Sequence, residues 1–348
     1  MEQAFIGVDV GTASARAGMF AADGTLLATA RRPIAIWHEA GDIVEQSSAD
    51  IWAACTDAVR AVLKETGQSP SRVKGIGFDA TCSLVVLDAG GNPLSVSLAG
   101  DPRRNIIVWM DHRAIPQADR ISATGDEVLR HVGGIISPEM ETPKLLWLKE
   151  HLPASYHAAG HFFDLADYLT YRATGRTTRS ACTLTCKWAY LAHERRWSRR
   201  YFERIGLADL LISNCRRIGS EIVEPGTALG EGLLPESAVA LGLLPGTPVG
   251  AALIDAHAGG IGTVGGEGAE RARERARSPG VYHGHFGLHH GDNRDAALRA
   301  GGLGTVFLGD DPRSVVERRR PIGGWGRDRA HRALASGARR SRGGRKSC

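Results

Sequence analysis

The first residues that could do chemistry lie almost at the start of the sequence, around Asp9. An apolar run ends at Asp9, and a Gly-Thr-x-Ser turn follows, made by Gly11, Thr12 and Ser14. Glycine lets a ligand approach the backbone, and the two hydroxyls stand beside turn amides, so this turn could hold a phosphate group. Asp9 could reach the same phosphate through Mg²⁺, which prefers oxygen ligands. An ordinary hairpin turn is the alternative interpretation.

A second candidate, Asp255, follows the apolar run 248–254 and precedes several small residues. A carboxylate at the end of a buried strand can accept the proton of a hydroxyl that attacks phosphorus. Phosphoryl transfer needs little more than such a base, hydrogen-bond donors to the phosphates, a metal ion, and an attacking hydroxyl held in line with the phosphorus. The alternative is that Asp255 only caps the helix that follows it.

The glycines at 260–265 fit the spacing G-x-G-x-x-G of dinucleotide-binding loops. They come late in the helix predicted after Asp255, and no strand with a terminal acid follows at the required distance. We therefore expect small residues for close helix packing, and neither a nicotinamide nor a flavin cofactor.

The elements that would position these residues alternate between short apolar runs and helical stripes, which predicts an α/β fold with a mixed sheet flanked by helices. Asp9, Asp79 and Asp111 fall at strand ends, where such sheets bind ligands. Ser47 is the expected N-cap of the first helix. The predicted strands are 5–8, 15–20, 25–30, 73–79, 84–88, 106–111 and 248–254, and the predicted helices cover 51–63, 112–122, a stretch opening at 142–143, and 162–175. The stretch 180–188 suits a loop lining a cleft, with an ordinary surface position of Lys187 as an equal alternative.

The composition is that of a soluble globular protein. Its 348 residues include 43% apolar and 23% charged side chains, enough for a large core. No apolar run reaches the length of a membrane span and no signal segment precedes the first strand, so we expect a cytoplasmic protein without membrane contacts. Among the cysteines only Cys182 and Cys186 are close in sequence. Without histidines near them, we expect buried reduced thiols rather than a zinc site.

Several stretches together strongly resemble the FGGY family of carbohydrate kinases, and within it the pentulose kinases of the D-ribulokinase type. The resemblance runs over residues 3–266. The stretches that carry it are Val8-Asp-Val-Gly-Thr-Ala-Ser-Ala-Arg-Ala-Gly18, Gly77-Phe-Asp-Ala-Thr-Cys-Ser83, Val108-Trp-Met-Asp-His-Arg-Ala114, Pro143-Lys-Leu-Leu-Trp147, Phe163-Asp-Leu-Ala-Asp-Tyr168 and Ile254-Asp-Ala-His-Ala-Gly-Gly260.

The resemblance implies a ribonuclease-H-like fold of the actin and sugar-kinase superfamily, in which ATP and sugar meet between two domains. It implies that Asp255 is the catalytic base and that Asp9 contacts Mg²⁺. By the same resemblance, the first phosphate loop of the ATP site is formed by Gly11, Thr12, Ser14 and Arg16, and the sugar contacts are expected at Thr81, Cys82, Asp111 and Lys187.

By the resemblance, the family pattern should continue after residue 266 into a second domain with another phosphate loop. Residues 267–348 depart from that pattern. They hold 17 Arg and 1 Lys against 9 acidic residues, whereas residues 1–266 hold 25 basic and 29 acidic residues. Arginine without lysine suggests GC-rich codons read out of frame. The codons that residues 284–291 allow, read one base later, permit Gly-Thr-Ser followed by small residues, as in such a loop. We expect a kinase domain over 1–266 and an irregular or disordered tail from a frameshift, which sequencing the locus would test.

We predict an ATP-dependent kinase acting on a terminal hydroxyl of a pentulose, with D-ribulose as first candidate. Because half of the ATP site is missing from the pattern, we expect impaired or absent activity in this chain. One alternative is a non-catalytic sugar-binding remnant. The other is a nucleic-acid-binding protein with a basic tail, which we do not favour because no aromatic residue lies within the arginine clusters 318–320 and 339–342. The number of subunits stays open, a homodimer included.

Overall fold

The computed structural model describes residues 3–265, with side chains through residue 262. The predicted tail over 267–348 lies outside the described residues, so its character and its origin stay predictions. The strands are β1 (Ala4–Val10), β2 (Ser14–Ala21), β3 (Leu26–Pro33), β4 (Ile36–Glu39), β5 (Ile43–Gln46), β6 (Val73–Ala80), β7 (Leu84–Leu87), β8 (Ile106–Ile107), β9 (His161–Asp164), β10 (Arg179–Ser180), β11 (Ile222–Val223) and β12 (Leu253–Ile254). The helices are α1 (Ser48–Thr66), α2 (Ile115–Ala123), α3 (Glu141–His151), α4 (Pro153–Ala158), α5 (Leu165–Thr174), α6 (Ala181–Lys187), α7 (Arg199–Arg204), α8 (Ile212–Cys215), α9 (Pro235–Leu241) and α10 (Asp255–Gly265).

The first sheet is mixed, with the strand order β12-β6-β1-β2-β3. β1, β2 and β3 form an antiparallel meander, whereas β6 runs parallel to both β1 and β12. Parallel neighbours present their carboxyl ends at the same edge of a sheet, which is where α/β proteins place ligands. This mixed sheet with its flanking helices confirms the predicted fold class.

Helix α1 packs on the first sheet and shares one core with α5 and α9. The Ser47 hydroxyl accepts a hydrogen bond from the Asp50 amide, as the sequence predicts, and such a cap contributes about 1 kcal/mol. Gly67 ends the helix in the left-handed conformation, with φ of 62°. Val59 and Val62 lie on the face of α1 that is fully buried. The cap, the terminal glycine and the apolar face of α1 therefore agree with its packing against the sheet.

The second sheet is antiparallel and has the order β4-β5-β8-β7-β9. Its core includes side chains of α2, α3, α4 and α7. A further pair, β10 with β11, is parallel and leads into α6. The second sheet therefore supplies the loop after β8, which packs against the turn between β1 and β2.

Two predicted elements differ from the structure. The stretch 180–188, predicted as a loop, contains α6, because the Ser180 hydroxyl caps the Cys182 amide and the Thr183 hydroxyl donates to Asp167. The stretch 162–175, predicted as one helix, is β9 followed by α5. Its aromatic start pairs with β7, and Asp164 caps the new helix through the Ala166 amide.

Other predictions fail only in length. The strand predicted over 106–111 ends at Ile107, and the strand predicted over 248–254 is reduced to β12 and two isolated bridges, at Val249 and Gly250. The glycines 260–265 lie in α10, as predicted. Within the span that the structure describes, no helix combines the length and the apolar character that a membrane crossing requires.

Candidate active site

Three carboxylates meet at the carboxyl edge of the first sheet. Asp9 and Asp79 are register partners across the parallel strands β1 and β6. β12 pairs with the other side of β6, where Leu253 lies opposite Asp79, so Asp255 reaches the same edge at the start of α10. The strand order thus joins residues that are far apart in the chain.

A cavity of about 210 Å³ opens at this edge. It is lined by Asp9, Gly11, Arg16, Asp79, Asp255, Ala256, Ala258 and Gly259. The predicted base, the predicted metal contact and part of the predicted phosphate loop therefore share one cavity.

Asp79 is the most buried of the three acids, with 3% of its surface exposed. Burial is the main cause that raises the pKa of Asp79 well above its usual range, and the carboxylates of Asp9 and Asp255 raise it further. Burial also raises the pKa of Asp9, although Arg16 opposes this with a hydrogen bond of 2.9 Å from Nη1 to Oδ2. The crowding of the acids thus favours the protonated form of Asp79, which could donate a hydrogen bond to Asp9.

Asp255 is held by its own helix. The amide of Ala256 donates to Asp255 Oδ1 at 2.7 Å, which fixes the carboxyl at the first turn of α10. Burial raises the pKa of Asp255, and the charges of Lys187 and His257 act in the opposite direction. A carboxylate with a raised pKa is a better proton acceptor than a free aspartate, so the arrangement suits a general base.

The turn between β1 and β2 is braced from the second sheet. Trp109 Nε1 donates to the Thr12 hydroxyl at 3.0 Å, and Gln46 Nε2 donates to the Thr12 carbonyl at 2.8 Å. Because Trp109 donates to the Thr12 oxygen, the Thr12 hydroxyl still has its own proton to donate to a ligand. The amide of Gly11 donates to the Ser14 carbonyl at 3.1 Å, and Ser14 itself is buried.

Gly11 has room for a side chain within the protein. A Cβ built there meets only the Ser14 carbonyl oxygen, at an ordinary contact distance of 3.9 Å. The fold therefore does not require glycine at this position, and a close approach of a ligand is the remaining physical reason for it.

The predicted sugar contacts fall into two groups. Thr81 and Cys82 are buried in the connection that follows β6, and Lys187 is half-buried at the end of α6. The charge of Lys187 acts on the pKa of Cys82 as well as on that of Asp255. These three residues thus lie beside the cavity, although they do not line it.

The structure does not bring Asp111 to the cavity. Its carboxylate is fully buried and accepts hydrogen bonds from the Arg113 guanidinium and from the Val44 amide, the latter at 2.6 Å. Arg113 also pairs with Glu45 at 2.8 Å. With its oxygens occupied in this way, Asp111 is placed to order the loop after β8.

Sequence reasoning placed Asp79 only among the strand-end acids and gave no role to Gln46 or Trp109. Asp79 could be recognised as a strand-end acid, but only the parallel register places it between Asp9 and Asp255. The cysteine prediction needs a correction as well. The cysteines in the described part of the chain are free thiols, as expected, yet a histidine far along the chain lies beside Cys182 and Cys186.

Comparisons with known proteins agree with this geometry. Residues 4–262 match the model of the FGGY family of carbohydrate kinases, N-terminal domain. The human FGGY carbohydrate kinase domain-containing protein is 51% identical over 267 residues, which cover 76% of this chain and 48% of the relative. A D-ribulokinase of Saccharomyces cerevisiae is 41% identical over 273 residues, 75% of this chain and 38% of its own length. The chain spans about half the length of the curated relatives it matches.

Solved structures show the same fold. The xylulose kinase of Rhodospirillum rubrum superposes with a TM-score of 0.65 at 22% identity, covering 75% of this chain and 50% of that one. The glycerol kinase of Plasmodium falciparum, solved with ADP, gives a TM-score of 0.61 at 14% identity, with coverages of 76% and 50%. The predicted sugar-kinase fold is thereby confirmed for the matched residues.

Proposed function

We propose, since this chain belongs to the FGGY family of carbohydrate kinases, that its cavity takes part in transferring the terminal phosphoryl group of ATP to a hydroxyl of a pentulose. The observation that carries the proposal is the convergence of Asp9, Asp79 and Asp255 on one cavity. Phosphoryl transfer asks mainly for positioned donors and a base, and these residues offer both.

Asp255 is the proposed base. Its carboxylate is oriented by the Ala256 amide, and its raised pKa favours taking a proton from a sugar hydroxyl. The positive charge of Lys187 nearby opposes this rise in pKa and favours the ionised form of Asp255. The proton would then pass from the attacking hydroxyl to Asp255 while the hydroxyl oxygen bonds to the terminal phosphorus of ATP, the bond from that phosphorus to the bridging oxygen breaks, and ADP leaves.

The phosphate side of the cavity is proposed to be the turn between β1 and β2. Gly11 allows a close approach, the Thr12 hydroxyl can donate, and Arg16 brings a cation to the cavity wall. Ser14 stays a proposed member of this phosphate loop, although it is buried and does not line the cavity.

Magnesium suits the acid side of the same cavity. The donors there are carboxylate oxygens, which a hard dication prefers, and the raised pKa values of Asp9 and Asp79 reflect repulsion and burial that a dication would offset. Asp9 is the proposed contact to the ion. When bound, Mg²⁺ would neutralise charge on the phosphates.

D-ribulose is the proposed acceptor, because a relative at 41% identity is named a D-ribulokinase. Thr81, Cys82 and Lys187 are the proposed sugar contacts beside Asp255. Asp111 would act indirectly, by ordering the loop that carries Trp109. The xylulose and glycerol kinases share only the fold with this chain, so they do not choose between acceptors.

Turnover by this chain is expected to be slow or absent. The matched residues correspond to an N-terminal domain, and within residues 3–262 the proposed phosphate donors come from one turn only. Sugar binding without ordinary turnover is therefore the predicted behaviour.

Calorimetric titration of the full chain with D-ribulose tests this proposal, with D-xylulose and glycerol as comparison ligands. ADP release from Mg-ATP is measured in the same samples. We expect D-ribulose to bind most tightly and ADP release to stay near background. Absence of binding by all three ligands would overturn the sugar site. Tighter binding of D-xylulose would overturn the acceptor, and rapid ADP release would overturn the predicted loss of activity.

A further inference from the structure

Two cysteines of α6 and one histidine of α10 meet beside the cavity. Cys182 Sγ lies 3.1 Å from His257 Nδ1, and Cys186 Sγ lies 3.9 Å from the same nitrogen. The potential ligand atoms of all three side chains are within 4.8 Å of one another. None of these side chains belongs to the set that lines the proposed phosphoryl-transfer cavity.

These distances are close to those of a tetrahedral metal site. Bonds of about 2.3 Å to sulfur and about 2.05 Å to imidazole nitrogen place sulfur about 3.6 Å from nitrogen across a tetrahedral edge. The observed separations of 3.1 and 3.9 Å lie on either side of that value. The two sulfur-to-nitrogen separations would therefore have to change by about 0.3 to 0.5 Å to match a tetrahedral edge.

The helices hold the ligands in place without an ion. Cys182 and Cys186 are four residues apart and so share one face of α6. The N-cap Ser180 and the bond from Thr183 to Asp167 fix that helix. His257 lies in the first turn of α10, directly after the strand that packs against α6. A site whose backbone is already formed needs little ordering when it binds.

The chemistry of this cluster differs from that of the acid cavity. The cluster offers two cysteine sulfurs and one imidazole, and none of its three potential ligands is a carboxylate. Thiolate and imidazole ligands select Zn²⁺ and similar ions, whereas Mg²⁺ takes oxygen ligands. The two neighbouring sites would therefore not compete for one metal.

We propose that Cys182, Cys186 and His257 bind one thiophilic divalent cation of the Zn²⁺ class, with the fourth coordination position open. Such an ion ties the end of α6 to the start of α10. It thereby fixes the two segments that carry Lys187 and Asp255, and it places a positive charge close to the proposed base. The inference does not depend on the proposed kinase activity.

Cobalt titration tests the site, because Co²⁺ in a tetrahedral thiolate site absorbs visible light and shows a sulfur-to-metal charge-transfer band. We expect one Co²⁺ per full chain, displaced by one Zn²⁺, in a reducing buffer that does not bind metals. Cys182→Ser, Cys186→Ser and His257→Gln should each weaken binding by more than about 100-fold, since losing even an outer partner of a ligand weakens metal sites by about 10- to 100-fold.

Two variants serve as matched controls. Cys215→Ser removes a half-buried thiol elsewhere in the fold, and Cys348→Ser removes one outside the described residues. Both should keep the cobalt spectrum. The proposal is overturned if the wild type gives no thiolate band, if the band survives in Cys186→Ser, or if it disappears in Cys348→Ser.

A second readout guards against misfolded variants. Each variant is first melted without metal, and only those with the wild-type melting temperature are compared. In the wild type, Zn²⁺ should raise the melting temperature and slow alkylation of Cys186, because binding stabilises the native state and occupies the sulfur. Alkylation at an unchanged rate under saturating Zn²⁺ would contradict the assignment.

Discussion

Burial and two neighbouring carboxylates raise the pKa of Asp79 in the folded protein, which favours its protonated form. A protonated Asp79 could donate a hydrogen bond to Asp9 and so favour the ionised form of Asp9. Arg16 stabilises that charge at 2.9 Å. Two neighbours thus favour the ionised form of Asp9, the proposed metal contact. Asp79 could donate a hydrogen bond to it, and Arg16 supplies a positive charge.

Replacing Asp79 by asparagine should stabilise the protein at neutral pH. The unfolded carboxyl loses its proton near pH 3.9, whereas the folded one keeps it to higher pH, so the native carboxyl weakens stability as the pH rises between these two values. Asparagine donates to Asp9 without titrating. We expect Asp79→Asn to raise the free energy of unfolding by about 1 kcal/mol near pH 7 and by less near pH 4.

Denaturant unfolding at several pH values measures this effect, with Asp57→Asn on the exposed side of α1 as control. The control should leave the pH dependence unchanged. A loss of stability in Asp79→Asn near neutral pH would show that the fold needs a charged carboxylate at this position.

We expect Gly11 to be needed for phosphate binding but not for the stability of the fold. A methyl group there meets only one protein atom, at 3.9 Å, so Gly11→Ala should change stability by less than about 0.5 kcal/mol. The same methyl group would point at a phosphate held by the turn. We expect Mg-ATP to bind about tenfold more weakly, which corresponds to about 1.4 kcal/mol.

Calorimetry with Mg-ATP and thermal melting of the same samples separate the two effects. Gly77→Ala in β6 is the matched control, because an added methyl there meets nothing within 4 Å and is not in the cavity. Equal nucleotide affinity in wild type and Gly11→Ala would contradict the phosphate assignment, as would absence of nucleotide binding in the wild type.

Strand order decides which side chains meet at the cavity. β6 lies between β1 and β12, so its terminal acid separates the two acids that the sequence singled out. The second sheet contributes differently, since it holds the loop after β8 through the buried ion pairs of Arg113 with Asp111 and Glu45. That loop carries Trp109, which braces the phosphate turn.

Replacing Asp111 by alanine should therefore destabilise the loop after β8. Arg113 has a side-chain exposure of 2%, so Asp111→Ala leaves a buried charge with one carboxylate partner fewer. Breaking such a pair costs about 3 to 5 kcal/mol. Asp119→Ala, at an exposed position of α2, should cost less than about 0.5 kcal/mol.

Urea unfolding of both variants gives the comparison. A similar, small loss for Asp111→Ala and Asp119→Ala would show that Asp111 does not hold the loop. Direct contact of Asp111 with sugar would then become the better explanation for the Asp111 prediction.

Local signals made the first sheet and α1 predictable. The apolar run before Asp9, the turn after it and the cap at Ser47 each involve neighbours in sequence, and each is found in the structure. Helix α6 could not be predicted in the same way, because part of what fixes it is a bond from Thr183 to Asp167. The pairing of Cys182 with His257 joins residues 75 positions apart, and no local pattern records it.

At the scale of the whole molecule, residues 4–262 match an N-terminal domain, and the chain spans about half the length of the relatives it matches. The described residues offer Asp255 on the proposed sugar side and the β1–β2 turn on the proposed phosphate side. If the sugar side and the phosphate side are separate, a substitution on one side should weaken the binding of its own ligand only.

Calorimetric titration of D-ribulose into the wild type and three variants tests this arrangement most directly. We predict that Asp255→Ala weakens D-ribulose binding at least about tenfold, or about 1.4 kcal/mol, whereas Asp9→Asn and the surface control Asp57→Ala bind as the wild type does. Equal affinity in Asp255→Ala and the wild type, with both folded, would contradict the assignment of Asp255 to the sugar and with it the proposed kinase site.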